Sequence, residues 1–375
     1  LAVTLSKRAR CRALQLPAWN EALGLPRPWD QQWSLRLQQI LAYETDLLEY
    51  EDLFDGSHVV TGKTEALKDQ ARAMLAKLDA SGGTIDNIAF MKEELVESQR
   101  ARLKEIEAGR QIVVGVNRYQ TTENSPLSGG DGSIMATDHG AESRQIAKLK
   151  AWRAQRNSEA AANALGELRA AAMSGANIMP PSIAAAKAGV TVGEWGAALR
   201  EVFGEYRGPT GVSLVIATDG EEDLEAVKGE VERVSKRLGR TLTYVVGKPG
   251  LDGHSNGSEQ IAARARAAGM NVIYEGIRFT PDEIVQQAID SEAHVIGLSI
   301  LSGSHLDLVK ETVGILRAKG LDIPVVVGGI IPEADALALK QMGIRRVYTP
   351  KDYKITQIMG DVVKVVEETL TKAAE

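Results

Sequence analysis

Cysteine is almost missing from these 375 residues. The single one, Cys11, excludes an internal disulfide and fits a reducing, cytoplasmic setting. Basic charge is also short. A formal net charge of −6 argues against a nucleic-acid partner, which would need a basic patch. No apolar run approaches the roughly 18 residues that a membrane-spanning helix needs, so no membrane association is expected. Too few apolar residues precede Lys7 for a signal peptide. The missing initiator Met leads us to expect a processed chain or a piece of a longer one. What is present, 44% hydrophobic and 25% charged residues, is close to a folded globular average and excludes disorder as the main state.

Three regions separate by pattern. Residues 1–110 carry a helical apolar period and predict helices over 30–50, 65–78 and 87–107. Short strands are expected only at 13–16 and 112–116, too few to close a core, so the segment reads as the end of a larger domain. A loop rich in Gly, Ser, Asn and Asp over 121–140 opens the second region. An Ala- and Arg-rich helix or helix pair follows over 141–173. Pro180-Pro181 interrupts the pattern, and a further helix is expected over 191–203. The Gly and Pro residues of 204–209 read as a boundary.

The last 135 residues are the most legible. Strands are expected at 242–246, 271–274, 295–299, 325–327 and 346–348, with helices at 258–268, 281–291, 304–319, 333–342 and 355–372. Thr280-Pro281-Asp282-Glu283 is a capping box with Pro at the first helical position, and Ser304 with Asp307 suggests a second start. Gly269, Gly320 and Gly343 stand where helices should stop. Strand alternating with helix implies an α/β fold with a parallel sheet and helices on both faces.

In such a sheet, ligands bind beyond the carboxyl ends of the strands, where the strand order reverses. The loop after the first strand contains Lys248, Asp252, Gly253, His254 and Gly257. A neutral imidazole can ligate a metal through one nitrogen while a carboxylate two residues away accepts the other N–H and fixes the ring. After the third strand come Ser299, Leu301 and Gly303, with a hydroxyl able to bond a ligand heteroatom. After the fourth come Gly328 and Gly329, whose bare backbone permits close approach of a large flat ligand. Taken singly, each signal fits an ordinary turn better than a site; the weight lies in the set.

That set, Asp-x-His-x-x-Gly, Ser-x-Leu and Gly-Gly, resembles the cobalamin-binding domain of the base-off/His-on class. The resemblance implies a flavodoxin-like, Rossmann-like five-stranded parallel sheet. His254 would be the axial ligand of cobalt and Asp252 its orienting partner. Lys248 would support the pair. Ser299, Leu301, Gly303, Gly328 and Gly329, with Thr349 less specifically, would bind the displaced nucleotide tail. Upstream, Leu16-Pro17-Ala18-Trp19-Asn20-Glu21-Ala22-Leu23-Gly24-Leu25-Pro26 and Gly115-Val116-Asn117-Arg118-Tyr119 resemble the end of the substrate barrel in cobalamin-dependent acyl-CoA mutases. Residues 28–36 are most similar to the ethylmalonyl-CoA branch. Residues 52–57 depart from the Asp-Pro-Trp-Gly-Gly-Ser stretch common in the methylmalonyl-CoA branch.

The resemblance implies three segments: 1–120, the C-terminal part of a TIM-type (β/α)8 substrate barrel; 121–240, a helical linker; and 241–375, the cobalamin-binding domain. It implies an isomerase that uses adenosylcobalamin and an acyl-CoA substrate, converting ethylmalonyl-CoA to methylsuccinyl-CoA by a radical rearrangement, in a homodimer. The barrel residues that handle the radical and the CoA ester are expected to lie outside this chain, leaving it with little turnover of its own. The alternatives are methylmalonyl-CoA specificity and a non-catalytic cobalamin sensor or corrinoid carrier, although the barrel-like stretch stands where such carriers have a compact helical cap. An FMN or receiver domain on the same fold fits poorly, since the third strand ends in Ser299 rather than an acid. Arg144, Lys148, Lys150, Arg153 and Arg156 read as a solvated helix face. His58 and His139 read as loop residues without metal-binding spacing, and His305 as a neighbour of the cofactor loop. Trp19, Trp29 and Trp33 read as packing residues of the barrel.

Overall fold

The computed structural model describes residues 6–7, 14–21, 25–120, 138, 140–212 and 222–374. Cys11, His139 and almost all of the polar loop over 121–140 lie outside the described residues. The chain divides into two compact units, one made of residues 1–135 and 208–375, the other of residues 136–207.

The first unit is built on a five-stranded, all-parallel sheet: β1 Thr243–Gly247, β2 Asn271–Ile273, β3 Val295–Ile300, β4 Val325–Gly329 and β5 Arg346–Tyr348, in the order β2-β1-β3-β4-β5. All five expected strands are present. Their alternation sorts the side chains into two cores, because successive residues point to opposite faces. Tyr244, Val246, Val295 and Val326 pack under the helices Glu222–Leu238, Asn256–Ala267 and Ile355–Ala374. Val245, Ile296, Leu298, Ile300, Val325 and Val327 pack under Pro281–Asp290, His305–Ala318 and Glu333–Gln341. Covered on both sides, β1 is buried at every position. His294 enters β3 with its Nδ1 accepting the Thr243 N–H at 2.8 Å, and burial pushes its pKa down to about 4, so the ring is neutral.

The helix ends follow local chemistry. Thr280 and Glu283 form the reciprocal capping box with Pro281 at its start. Gly269, Gly320 and Gly343 take positive φ where their helices stop. Ser304 departs from expectation: a helix starts after it, but its hydroxyl bonds Ser302 Oγ at 2.6 Å and caps nothing. The helix Glu222–Leu238 carries no signal strong enough to stand out among its many charges. It buries only Leu224, Val227, Val231 and Val234, a single stripe, while Arg233 and Arg237 pair with Glu367.

Upstream, helices Pro28–Tyr43, His58–Ala80 and Ile88–Glu107 correspond to the three expected, with shifted ends. His58 opens a helix rather than sitting in a loop. The expected strand at 112–116 is only an isolated bridge between Val114 and Arg118, and residues 14–16 form no strand. Trp29 and Trp33 are exposed, and Trp19, partly exposed, donates from its indole to Asp30. Asp30 is itself fully buried, bonded also by Asn20 and Arg27. No helix among the described residues is long and apolar enough to cross a membrane.

The second unit holds helices Ala141–Gln155, Ser158–Ser174, Met179–Lys187 and Val192–Phe203. The Ala-rich run is a helix pair, split where Asn157 caps the second member. Pro180-Pro181 begins a helix rather than breaking one, since a first-turn Pro lacks an N–H that would be unpaired anyway. Small residues, Ala161, Ala164, Ala172, Ala185 and Ala198, fill the interior around Leu168. Arg156 is no part of a solvated face: it bonds Glu194 through both terminal nitrogens at 2.5 and 2.6 Å. Replacing the cap in the first unit, Thr280→Ala, is expected to lower unfolding free energy by about 1 kcal/mol. A denaturant titration would show this as a lower midpoint at unchanged slope; an unmoved midpoint would mean that Pro281 alone starts the helix.

Candidate functional site

The chain runs from β1 to β2 on one side of the sheet and from β3 outward on the other, so the order reverses between β1 and β3. Adjacent loops diverge there and leave a crevice beyond the strand ends. A cavity of about 380 Å³ occupies it, bordered by Gly257, Ser299, Leu301, Gly328, Gly329 and Thr349. Residues from all three expected loops and from the end of β5 thus come together around one space.

Beside the cavity, the loop after β1 is organised by one carboxylate. Lys248, fully buried, donates from Nζ to Asp252 Oδ2 at 2.7 Å and to the Ser299 carbonyl at 3.4 Å. Leu301 N–H donates to the same Oδ2 at 3.1 Å. Oδ1 accepts the His254 N–H at 3.0 Å and faces the His254 Nδ1 at 2.6 Å. An ionised carboxylate only accepts, so the ring proton is on Nδ1 and the lone pair on Nε2. The His254 side chain is 79% exposed while Asp252 is 4% exposed. An immobilised imidazole therefore presents its free nitrogen outward. Burial alone would push the Asp252 carboxyl up; the hydrogen bonds from Lys248 and His254 outweigh it and hold the group well below the usual carboxylate range. The loop is pinned further by Gly250, at positive φ, whose N–H donates to the Phe279 carbonyl at 2.9 Å.

The glycines divide into two kinds. A Cβ on Gly329 would stand 1.9 Å from the Ile300 carbonyl oxygen, so the backbone there admits only glycine. Cβ atoms on Gly257 and Gly328 would find their nearest neighbours about 4 Å away, Ser299 Oγ and Tyr348 Cβ. Their bareness is not demanded by the protein's own packing, and it leaves backbone facing the cavity. Gly253 lies in the His254 loop and Gly303 in the turn after β3; neither borders the cavity. Thr349 borders it and is held by Asp352, which accepts its N–H at 2.8 Å. His305, the first residue of the helix His305–Ala318, is buried, with Nε2 at 2.8 Å from Asp335 Oδ2.

Several lining residues carried no signal in the sequence. Tyr244 and Tyr348 border the cavity from the sheet, and Tyr244 fills the space left by Gly297, where a Cβ would meet its hydroxyl at 2.1 Å. A large residue on one strand beside a glycine on the next is a size pairing that could have been sought once the strand order was known. Gln99 and Leu103 come from the helix Ile88–Glu107, about 140 residues before β1, and no local pattern ties them to the sheet. Among the described residues no group of three or more His, Cys, Asp or Glu side chains could hold a metal ion. The arrangement suits instead a metal already enclosed in a flat organic ligand and needing one protein donor. Exposed imidazole, bare backbone and adjoining cavity fit such a group.

Lys248→Met would leave Asp252 buried against no cation, with an expected cost of about 3–5 kcal/mol. Equilibrium unfolding measures it; a loss below about 1 kcal/mol would mean that water replaces the ammonium. Because the folded Asp252 pKa is depressed, its contribution is complete above the unfolded value near 3.9 and is lost as pH falls through the folded one. Wild-type stability should therefore decline more steeply below about pH 4 than that of Asp252→Asn. Parallel pH profiles would contradict the assigned charge on Asp252.

Comparison with known proteins bears on both parts of the chain. The family model described as methylmalonyl-CoA mutase matches residues 7–205, more than half of the chain, and the one described as B12 binding domain matches residues 242–352. An ethylmalonyl-CoA mutase of Cereibacter sphaeroides is 61% identical over 373 residues, covering 100% of this chain and 57% of that protein. One from Methylorubrum extorquens is 59% identical over 378 residues, covering 100% of this chain and 54% of that protein. A methylmalonyl-CoA mutase of Cereibacter sphaeroides is 31% identical over 346 residues, covering 90% of this chain and 48% of that protein. The chain spans about half the length of the curated relatives it matches. It belongs to the methylmalonyl-CoA mutase family of cobalamin-dependent acyl-CoA mutases and carries that family's B12-binding domain on its five-stranded sheet.

Proposed function

We propose that this chain is the cobalamin-holding part of an adenosylcobalamin-dependent isomerase that converts ethylmalonyl-CoA to methylsuccinyl-CoA. The observation that carries the cofactor reading is the His254 ring, fixed by Asp252 through Nδ1 and exposed at Nε2, beside a cavity bordered by bare glycine backbone. The choice of substrate is supported by a contrast within one organism: 61% identity to the ethylmalonyl-CoA mutase of Cereibacter sphaeroides against 31% to its methylmalonyl-CoA mutase. When bound, adenosylcobalamin supplies a cobalt–carbon bond that can break to give the radical on which such rearrangements depend. The remaining work falls to side chains. His254 offers its lone pair to the metal. Asp252 holds the ring's tautomer and direction, and Lys248 keeps Asp252 ionised. Ser299, Leu301, Gly328 and Gly329, with Thr349 at the rim, accommodate the displaced nucleotide tail.

In this reading residues 1–120 belong to the end of the substrate barrel and residues 121–240 to a linker. The substrate is an acyl-CoA, the assembly a homodimer, and the compartment the cytoplasm. Absorption spectra with added adenosylcobalamin test the cofactor reading directly. The wild-type chain is expected to shift the spectrum to that of a histidine-ligated form with the tail displaced. His254→Ala should lose that shift while remaining folded, because its ring contributes little buried surface. Identical spectra for the two proteins at saturating cofactor would end the assignment.

A further inference from the structure

One wall of the cavity comes from outside the matched B12-binding segment. Gln99 and Leu103 border it from the helix Ile88–Glu107, which falls within residues 7–205, whereas the B12-binding match covers 242–352. This helix is fixed on the sheet unit by several independent contacts. Val96, 2% exposed, joins the core beneath the sheet, and its carbonyl accepts Gln260 Nε2 at 3.0 Å. Lys92 pairs with the nearly buried Glu259 at 2.6 Å and donates to Ser255 Oγ at 3.3 Å, one residue beyond His254. Glu107 accepts the Ile355 N–H at 2.9 Å, where the last helix begins. A Cβ on Gly211 would stand 2.7 Å from the Lys92 carbonyl oxygen, so the chain after the second unit presses on the same helix.

Leu103 gives the cavity an apolar surface. Gln99 is different in kind. Its amide, with two donors and an acceptor, makes no hydrogen bond within the described residues, although the side chain is half-buried at the cavity. Gln260, Thr349 and Asp352, which border the same space, are bonded inside the protein, while the buried Tyr348 hydroxyl, on the sheet side of it, has no partner among the described residues. A half-buried amide facing a cavity, without a protein partner, is suited to a polar ligand atom, since an unmet group there costs free energy that a ligand bond recovers.

We propose that Gln99 is a specificity-determining residue of the cofactor site: its amide hydrogen-bonds a polar atom of the nucleotide tail, and with Leu103 it closes the tail compartment. This rests on the cobalamin reading above. The test measures dissociation constants by calorimetry on the full 375-residue chain, for adenosylcobalamin and for the tailless adenosylcobinamide. The wild type should bind the tail-bearing form more tightly. Gln99→Leu should weaken adenosylcobalamin about three- to tenfold, the range of one hydrogen bond, and leave adenosylcobinamide unchanged. Leu103→Trp, which fills the compartment with bulk, should weaken the tail-bearing form more than the tailless one. Unchanged adenosylcobalamin affinity in Gln99→Leu, or equal losses for the two ligands, would overturn the proposal while leaving His254 as ligand. Equal wild-type affinity for the two corrinoids would also overturn it, because the tail would then lie elsewhere. If the folded wild type binds neither, the cobalamin reading falls with it.

Discussion

Four hydrogen bonds converge on Asp252, and the geometry of the site hangs on them. A carboxylate that is 4% exposed is costly to keep ionised, and it persists only because a fully buried ammonium and two backbone N–H groups meet it. The arrangement does more than neutralise charge. The Lys248 and Leu301 bonds tie the loop after β1 to the end of β3, so the direction of the imidazole is set by the sheet and not by the loop alone. An exposed ring of this kind would otherwise rotate among its rotamers. Here its rotation is restrained from beneath.

The sheet contributes the cavity that adjoins this loop, bordered by Gly257 and Leu301. Reversal of strand order between β1 and β3 parts the neighbouring loops, and glycine at 257, 328 and 329 keeps the parted edges low. Only Gly329 is imposed by the packing of the chain itself. The other two are glycine where the protein has room for more, so the backbone stays bare there without its own packing requiring it. Chemical function and architecture thus meet at one edge: a donor atom, a bare floor, and hydroxyls at Ser299 and Thr349 along the rim.

Legibility in the sequence tracked how local the determining physics was. All five strands could be read, because each is a short run rich in β-branched residues set between helices, although only Thr280 caps the helix that follows with its side chain. The Asp252–His254 pair could be read from its spacing of two. Lys248 was legible by its resemblance to related mutases, while its complete burial was not, since nothing local distinguishes a buried lysine from a solvated one. The helix Glu222–Leu238 escaped notice because its apolar stripe is thin among charges. Val114 and its neighbours have strand-like composition but meet no partner strand among the described residues, and tertiary pairing decides such segments. Arg156 looked like one more surface charge until the fold brought Glu194, 38 residues away in sequence, against it. The Gln99 wall is the extreme case, a contact over a long loop that no periodicity encodes.

That wall bears on where the protein can be divided. Glu259 is nearly buried, and its cation, Lys92, arrives from a helix that ends more than 130 residues before the first strand. A gene fragment begun at residue 242, on the reasonable view that a matched segment is a self-sufficient module, would bare the seat of Val96, strand an acid in a dry niche and leave the cavity open on one flank. Modular boundaries drawn from sequence similarity and those drawn from shared burial are different lines in this molecule, and engineering that grafts the cofactor cradle elsewhere has to carry the distant helix with it.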